Sequence, residues 1–311
     1  MEKLCEDSEN NVLCLTQPNI DSQILESFGA KVTTTDITLK IPDLKSFGNI
    51  DTVFHCAGII HPKNVKQLYD VNANGTKNLL LTAVKYGARR FVYVSSNSVA
   101  GINLHPDLLL KEYDQNPYMN YGRSKLIAEK FVKLYQEDYG LETVILRPCW
   151  FYGERQPERQ TKLFKMIKKG HPIMFGDGSN LRSMSYVDNV VQALMLAEKS
   201  KKGIGQTYWV ADKRPYTTLE IYQTIARLLG VDKLKPRFIP SFVSWGLEKT
   251  DVILQKIGRY ITTIHVGGEM NKNIACSIKK AERDLGYNPQ VDLEEGMRRS
   301  IEWCRNNGIA I

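Results

Sequence analysis

The sequence predicts an α/β fold: a doubly wound parallel sheet, incomplete at its amino end, with a smaller C-terminal lobe. Short apolar runs at 12–16, 31–35, 52–56, 90–95, 143–146 and 207–210 read as strands, and amphipathic stretches at 22–28, 75–86, 121–139 and 189–199 alternate with them. The strand runs are short and largely apolar, as in a sheet covered by helices on both faces. Residues 154–180, 214–268 and 278–311 carry helices and prolines without regular strand alternation. A sheet domain of 1–153 plus 181–213 and a lobe of 154–180 plus 214–311 are therefore expected.

In chain order, the third strand leads into His55-Cys56-Ala57-Gly58, and a helix opens at Val71-Asn72-Ala73-Asn74-Gly75-Thr76. The fourth strand ends in Ser95-Ser96-Asn97-Ser98, so the Ser96 hydroxyl is expected at the carboxyl edge of the sheet, where open α/β sheets bind ligands. Tyr121 and Lys125 follow 25 and 29 residues after Ser96. Four apart on a helix, the phenol and ammonium share a face, and the cation favours the phenolate. Downstream come Leu146-Arg147-Pro148, then Gly176-Asp177-Gly178-Ser179 with Arg182, and Asp284-Leu285-Gly286-Tyr287.

In order and spacing these segments resemble the extended short-chain dehydrogenase/reductase superfamily from about residue 3 to residue 307. That group contains nucleotide-sugar epimerases and dehydratases and 3β-hydroxysteroid dehydrogenases. The resemblance implies a Rossmann-like fold, an NAD(P) cofactor and dimerisation through the helix of Tyr121 and the one before it, with Phe131, Leu134 and Tyr135 offering apolar surface.

The amino terminus departs from that pattern. Such a sheet normally opens with a strand, a glycine-rich turn and a helix whose N-terminus holds a pyrophosphate. No G-x-x-G-x-x-G precedes Tyr121, and the first glycine is Gly29. Residues 12–16 are either strand 1 with a degenerate loop Gln17-Pro18-Asn19, or strand 2 preceded by the tail of the first helix. The second mapping fits better, because 29–37 then reads as strand 3 with Asp36 at its end. On it, strand 1 and the phosphate turn are missing, through a late start assignment, a shortened chain or genuine loss of tight cofactor binding. Weak NAD(P) binding is expected.

The resemblance assigns roles residue by residue. Tyr121 is the acid/base; Lys125 lowers its pKa and binds the nicotinamide ribose; Ser96 orients the substrate hydroxyl or carbonyl; Asn72 supports the site. Asp36 would meet the adenine, Ala57 and Gly58 would let the backbone approach the cofactor, Ile37 and Cys56 would bind it as well, and Pro148 would border the nicotinamide. Ser98 and Arg182 would contact substrate, Arg182 its diphosphate. The end of strand 2, Thr16-Gln17-Pro18, carries neither the acid that selects NAD nor the Arg that selects NADP. Family frequency leans to NAD.

Substrate class is divided. Arg182 with the 176–179 loop favours a nucleotide sugar. Residues 240–247 and 252–254 resemble an apolar helix of hydroxysteroid and flavonol reductases, which would face a lipid-like substrate or a membrane, with packing in the core of the lobe the expected outcome. Asn97-Ser98 replaces the Asp-Glu pair that follows the serine in dehydratases, which argues against that reaction. A non-enzymatic relic of the fold is the alternative of another class, disfavoured by the joint presence of Ser96, Tyr121 and Lys125.

Composition narrows the rest. The chain has 311 residues, 42% hydrophobic, with a formal charge of +8. Its lysines lie in small groups such as Lys162, Lys165, Lys168 and Lys169, without a nucleic-acid motif, and suit an anionic substrate. Six cysteines and His55 and His61 show no metal-ligand spacing, so reduced thiols, no metal and a cytoplasmic location are expected. No apolar run reaches the roughly 18 residues of a membrane span.

Overall fold

The computed structural model describes residues 1–18, 20, 22–39, 43–105 and 107–311. Four parallel strands form the main sheet: β3 (Thr52–His55), β4 (Arg90–Val94), β5 (Glu142–Pro148) and β6 (Gln206–Val210), in the order β6-β5-β4-β3. β1 (Leu13–Thr16) and β2 (Lys31–Thr34) pair in parallel with each other, from Leu13 opposite Lys31 to Thr16 opposite Thr34. Among the described residues this pair forms no ladder with the main sheet. That arrangement agrees with 12–16 as strand 2, since strand 1 is the strand that joins the two halves of a doubly wound sheet.

β4 is buried along most of its length. Helices α1 (Thr76–Lys85) and α2 (Met119–Tyr139) cover one face of the sheet, enclosing Leu80, Phe91, Tyr93, Val132 and Ile145. α3 (Val187–Lys199) covers the other, where Val92, Leu146 and Trp209 pack with Ala193 and Ala197. α2 is long because its buried stripe recurs at Gly122, Lys125, Glu129, Val132 and Tyr135, and it stops at Gly140 in the left-handed region (φ 67°). Predicted and observed elements agree closely, except that 22–28 shrinks to one helical turn, Gln23–Glu26.

The lobe is built on α4 (Thr218–Leu228) and α7 (Leu293–Asn306), which bury Ile221, Ile225, Met297 and Ile301. Between them lie α5 (Ser241–Lys256) and α6 (Thr262–Glu269), packed on each other. Residues Ile274, Cys276 and Tyr287 join the core of the main sheet instead. Core packing was expected for the apolar residues of 240–254. The structure corrects this in part: Ser244 and Asp251 face inward, whereas Phe242, Trp245 and Ile253 face solvent.

Candidate active site

Ser96 leaves β4 in an extended conformation and caps the 3₁₀ turn Asn97–Val99, its Oγ accepting from the Ser98 N–H at 3.2 Å. The next turn of chain brings in α2. The Tyr118 N–H donates to the Ser98 carbonyl at 2.8 Å. Gly122 lies on that same carbonyl, where a Cβ would collide with the oxygen, so glycine is required for α2 to approach. Tyr121 and Lys125 thereby stand one turn apart on a helix whose first turn abuts the loop after Ser96.

Lys125 is buried, and its Nζ donates to the Val94 carbonyl at 2.8 Å while lying 4.7 Å from the centre of the Tyr93 ring. Burial lowers its pKa to about 8, although Glu129 one turn along α2 acts in the opposite direction.

Asn72 sits on the wide π-helical turn Tyr69–Gly75 that runs into α1. Its Oδ1 accepts from the Ile59 N–H at 2.8 Å, and its Nδ2 donates to the Ile59 carbonyl and the Ser124 hydroxyl, both at 3.0 Å. Ser124 in turn donates to the Tyr121 carbonyl at 2.7 Å. Asn72 therefore ties the loop after β3 to the turn of α2 that carries Tyr121. In that loop Cys56, Ala57 and Gly58 are exposed. A Cβ on Gly58 would lie 3.2 Å from Asn72 Oδ1 and 3.5 Å from Lys125 Nζ, so the glycine keeps an open approach to the ammonium.

Two groups of helpers were not read from the sequence. Thr76 donates its hydroxyl proton to the Asn72 carbonyl at 2.7 Å and so accepts from His55 Nε2 at 2.8 Å. Burial drives the His55 pKa down to about 3, leaving a neutral core residue stacked on Tyr93. Second, Glu129 and Arg147 form a buried bidentate pair, with Nε to Oε1 at 2.8 Å and a terminal nitrogen to Oε2 at 2.7 Å. Ser95, beside Ser96, donates to the same Oε1 at 2.5 Å.

Of the other expected residues, Ser98 belongs to the loop on which α2 packs, and the rest make contacts of their own. Asp36 Oδ1 accepts from the Thr38 N–H at 2.8 Å, and Ile37 is buried against Gly75. Pro148 is buried at the end of β5. Ser98 is half-buried beside the start of α2. Arg182 is buried on the short strand Leu181–Arg182, its guanidinium donating to the Glu269 carbonyl at 2.6 Å and the Glu269 carboxylate at 3.3 Å.

Gly58, Lys125 and the exposed loop after β3 fit a nicotinamide cofactor: a side-chain-free approach leads to a cation that can hold a ribose hydroxyl. The described residues contain no cluster of His, Cys, Asp and Glu suited to a metal ion.

Known proteins resemble this chain in sequence and in fold. The family model for the 3-beta hydroxysteroid dehydrogenase/isomerase family matches residues 12–240. An uncharacterized protein, y4nL, of Sinorhizobium fredii is 44% identical over 82% of this chain and 74% of its own length. A putative UDP-glucose 4-epimerase of Methanocaldococcus jannaschii is 29% identical over 96% and 92% of the two chains. Among solved structures, a UDP-glucuronic acid 4-epimerase of Bacillus cereus, in complex with UDP-glucuronic acid and NAD, superposes with a TM-score of 0.74. It covers 98% of this chain and 96% of its own at 23% identity, a likeness of fold.

Proposed function

The chain belongs to the 3-beta hydroxysteroid dehydrogenase/isomerase family within the extended short-chain dehydrogenase/reductase superfamily, and from that premise we propose that it oxidises or epimerises a hydroxyl-bearing carbon of a nucleotide sugar. The observation that carries the reading is the meeting of Gly58, Asn72 and Lys125 beneath the turn of Tyr121. The nicotinamide, when bound, would supply hydride acceptance and donation. Tyr121 would take the proton from the substrate hydroxyl during oxidation and return it during reduction. Lys125 would stabilise the phenolate by Coulomb attraction and hold the cofactor ribose, and Ser96 would orient the reacting oxygen. Asp36, Ile37, Cys56, Ala57, Gly58 and Pro148 would border the cofactor, with NAD favoured over NADP. Relatives named as UDP-glucose 4-epimerases support the sugar substrate.

A second reading, an apolar 3β-hydroxysteroid-type substrate, is favoured by the matching family model. Calorimetric titration separates the two. The 311-residue chain is expected to bind UDP-glucose measurably and a 3β-hydroxysteroid not at all. NAD, NADH, NADP and NADPH should bind weakly, because residues 1–311 contain no glycine-rich phosphate turn. Steroid binding without UDP-glucose binding would reverse the substrate assignment, and submicromolar binding of any dinucleotide would refute the account of the turn.

Arg182 would reach a diphosphate only by exchanging Glu269 for it. We further infer a homodimer through α1 and α2, where Leu81 and Leu134 are exposed; Phe131 is half-buried beneath Lys77, and Tyr135 is buried against Tyr139. Light scattering at tens of micromolar should show twice the chain mass, and a monomer alone would exclude this face.

A further inference from the structure

Arg182 holds its glutamate far less tightly than Arg147 does. Arg147 meets Glu129 with two nitrogens, at 2.8 and 2.7 Å, the forked geometry of a strong guanidinium–carboxylate pair. Arg182 reaches the Glu269 carboxylate with one nitrogen, at 3.3 Å. Its second terminal nitrogen goes to the Glu269 main-chain carbonyl at 2.6 Å, and its Nε is buried with no hydrogen-bond partner among the described residues. A buried donor left idle calls for an explanation, and a guanidinium with a donor to spare can take an anion richer in oxygens than a carboxylate.

Glu269 is poorly placed as a permanent partner. It is the last residue of α6, and the C-terminal end of a helix disfavours a carboxylate. Its side chain is 28% exposed against 6% for Arg182, so the carboxylate can leave and the guanidinium cannot follow it to water.

A second seat for the carboxylate is already within reach. His265 precedes Glu269 by one turn of α6, and its Nε2 lies 4.0 Å from Glu269 Oε2 while the other carboxylate oxygen faces Arg182. His265 Nδ1 stands 2.7 Å from Asp251 Oδ2, which also accepts from Gln255 Nε2 at 2.8 Å. An ionised carboxylate only accepts, so Nδ1 carries the proton, and the neutral ring then presents a lone pair at Nε2 that repels Glu269. Glu269 can bond there only when Nε2 gains a proton. The surroundings suit the resulting cation. Asp251 is fully buried with its Oδ1 unpartnered, and the rings of Tyr118 and Tyr260 lie 5.9 and 5.2 Å from the imidazole. Glu248, whose backbone lies against Gly268, is paired with Lys272 at 2.6 Å.

Building on the assignment of Arg182 to a substrate diphosphate, we propose that Glu269 is the specificity-determining residue of that site, an internal competitor that a diphosphate displaces from Arg182 onto a protonated His265. The exchange balances: the ligand anion replaces the carboxylate on the guanidinium, and a proton from solvent enters at His265 Nε2 to meet the carboxylate. A diphosphate brings two charges and several oxygens, enough to use the idle Nε as well. A neutral or singly charged ligand gives Arg182 no more than Glu269 already does. Glu269 thereby sets a charge threshold that admits nucleoside diphosphates and turns away apolar substrates.

Calorimetric titration of the 311-residue chain with UDP-glucose at pH 7, in two buffers of different ionisation enthalpy, tests this, since the sugar diphosphate exchanges no proton of its own there. The parent should take up a proton on binding, up to about one per ligand. Glu269→Gln keeps the size and removes the charge; it should bind about ten-fold more tightly and take up no proton. His265→Gln should bind without the proton. Circular dichroism checks the fold of each variant, and Glu269→Gln decides alone should His265→Gln fail to fold. Arg182→Ala tests the diphosphate assignment separately and should lose UDP-glucose binding; parental affinity in that variant would refute the assignment and this inference together, as would absence of binding by both the parent and Glu269→Gln. Where Arg182→Ala does lose binding, unchanged affinity in Glu269→Gln, or proton uptake that persists in either glutamine variant, would overturn the competitor alone and leave the assignment of Arg182 standing.

Discussion

Glu129→Ala is expected to destabilise the chain by about 3–5 kcal/mol, the cost typical of leaving one partner of a buried ion pair uncompensated. Arg147 and Glu129 are both about 1% exposed, so the guanidinium left behind has no route to water. It would keep only the Glu112 and Asp114 carbonyls, at 3.0 and 3.3 Å, and the face of Trp209. The pair also holds three parts of the site in register: Glu129 on the helix of Tyr121 and Lys125, Arg147 on β5, and Ser95 beside Ser96. Denaturant unfolding of the 311-residue chain measures the effect. The double variant Glu129→Leu with Arg147→Met should recover much of the loss, because no buried charge is then left alone. A Glu129→Ala variant as stable as the parent would show that the pair does not contribute as described.

The parts of this site that were legible in the sequence are those set by local pattern. Ser96 was read at the end of a buried strand, and Tyr121 and Lys125 on one helix face by their spacing of four; the structure places Ser96 just past the end of β4 and the pair on α2. Glu129 was missed because a glutamate on an amphipathic helix reads as solvated surface. Only its partner, 18 residues on and buried in β5, makes it a core residue. Ser124 was overlooked for the same reason, since its tie to Asn72 spans 52 residues. Gly122 carries a signal that was available: a glycine directly after Tyr121 in the first turn of a long helix costs helix stability and calls for a packing reason. Arg182 was expected to face a diphosphate, but its pairing with Glu269 depends on an approach of chain segments that no local pattern encodes. The apolar residues of 240–254 were expected to pack in the core of the lobe, and Phe242, Trp245 and Ile253 face solvent instead, because an apolar run does not state which neighbours the chain brings to it. At the amino end, the sequence mapped 12–16 to strand 2 with strand 1 missing but said nothing of how the rest of the sheet would arrange, and β1 and β2 stand as a separate pair.

The central claim is that Tyr121 moves the substrate proton. Tyr121→Phe deletes that proton while keeping the ring on α2, and a lost general acid/base typically lowers turnover by about 10²- to 10⁴-fold. The contact of α2 with the Ser98 loop is made by the Tyr118 N–H and Gly122, and Ser124 donates to the backbone carbonyl of residue 121. The fold should therefore persist. The measurement is proton NMR of the anomeric signals of UDP-glucose, incubated with NAD and a chain extended upstream by a strand and glycine-rich turn. The parent extended chain should convert the sugar, and the Tyr121→Phe form should do so at least about a hundred-fold more slowly. Near-parental conversion by Tyr121→Phe would contradict the account and place the acid/base elsewhere in the fold.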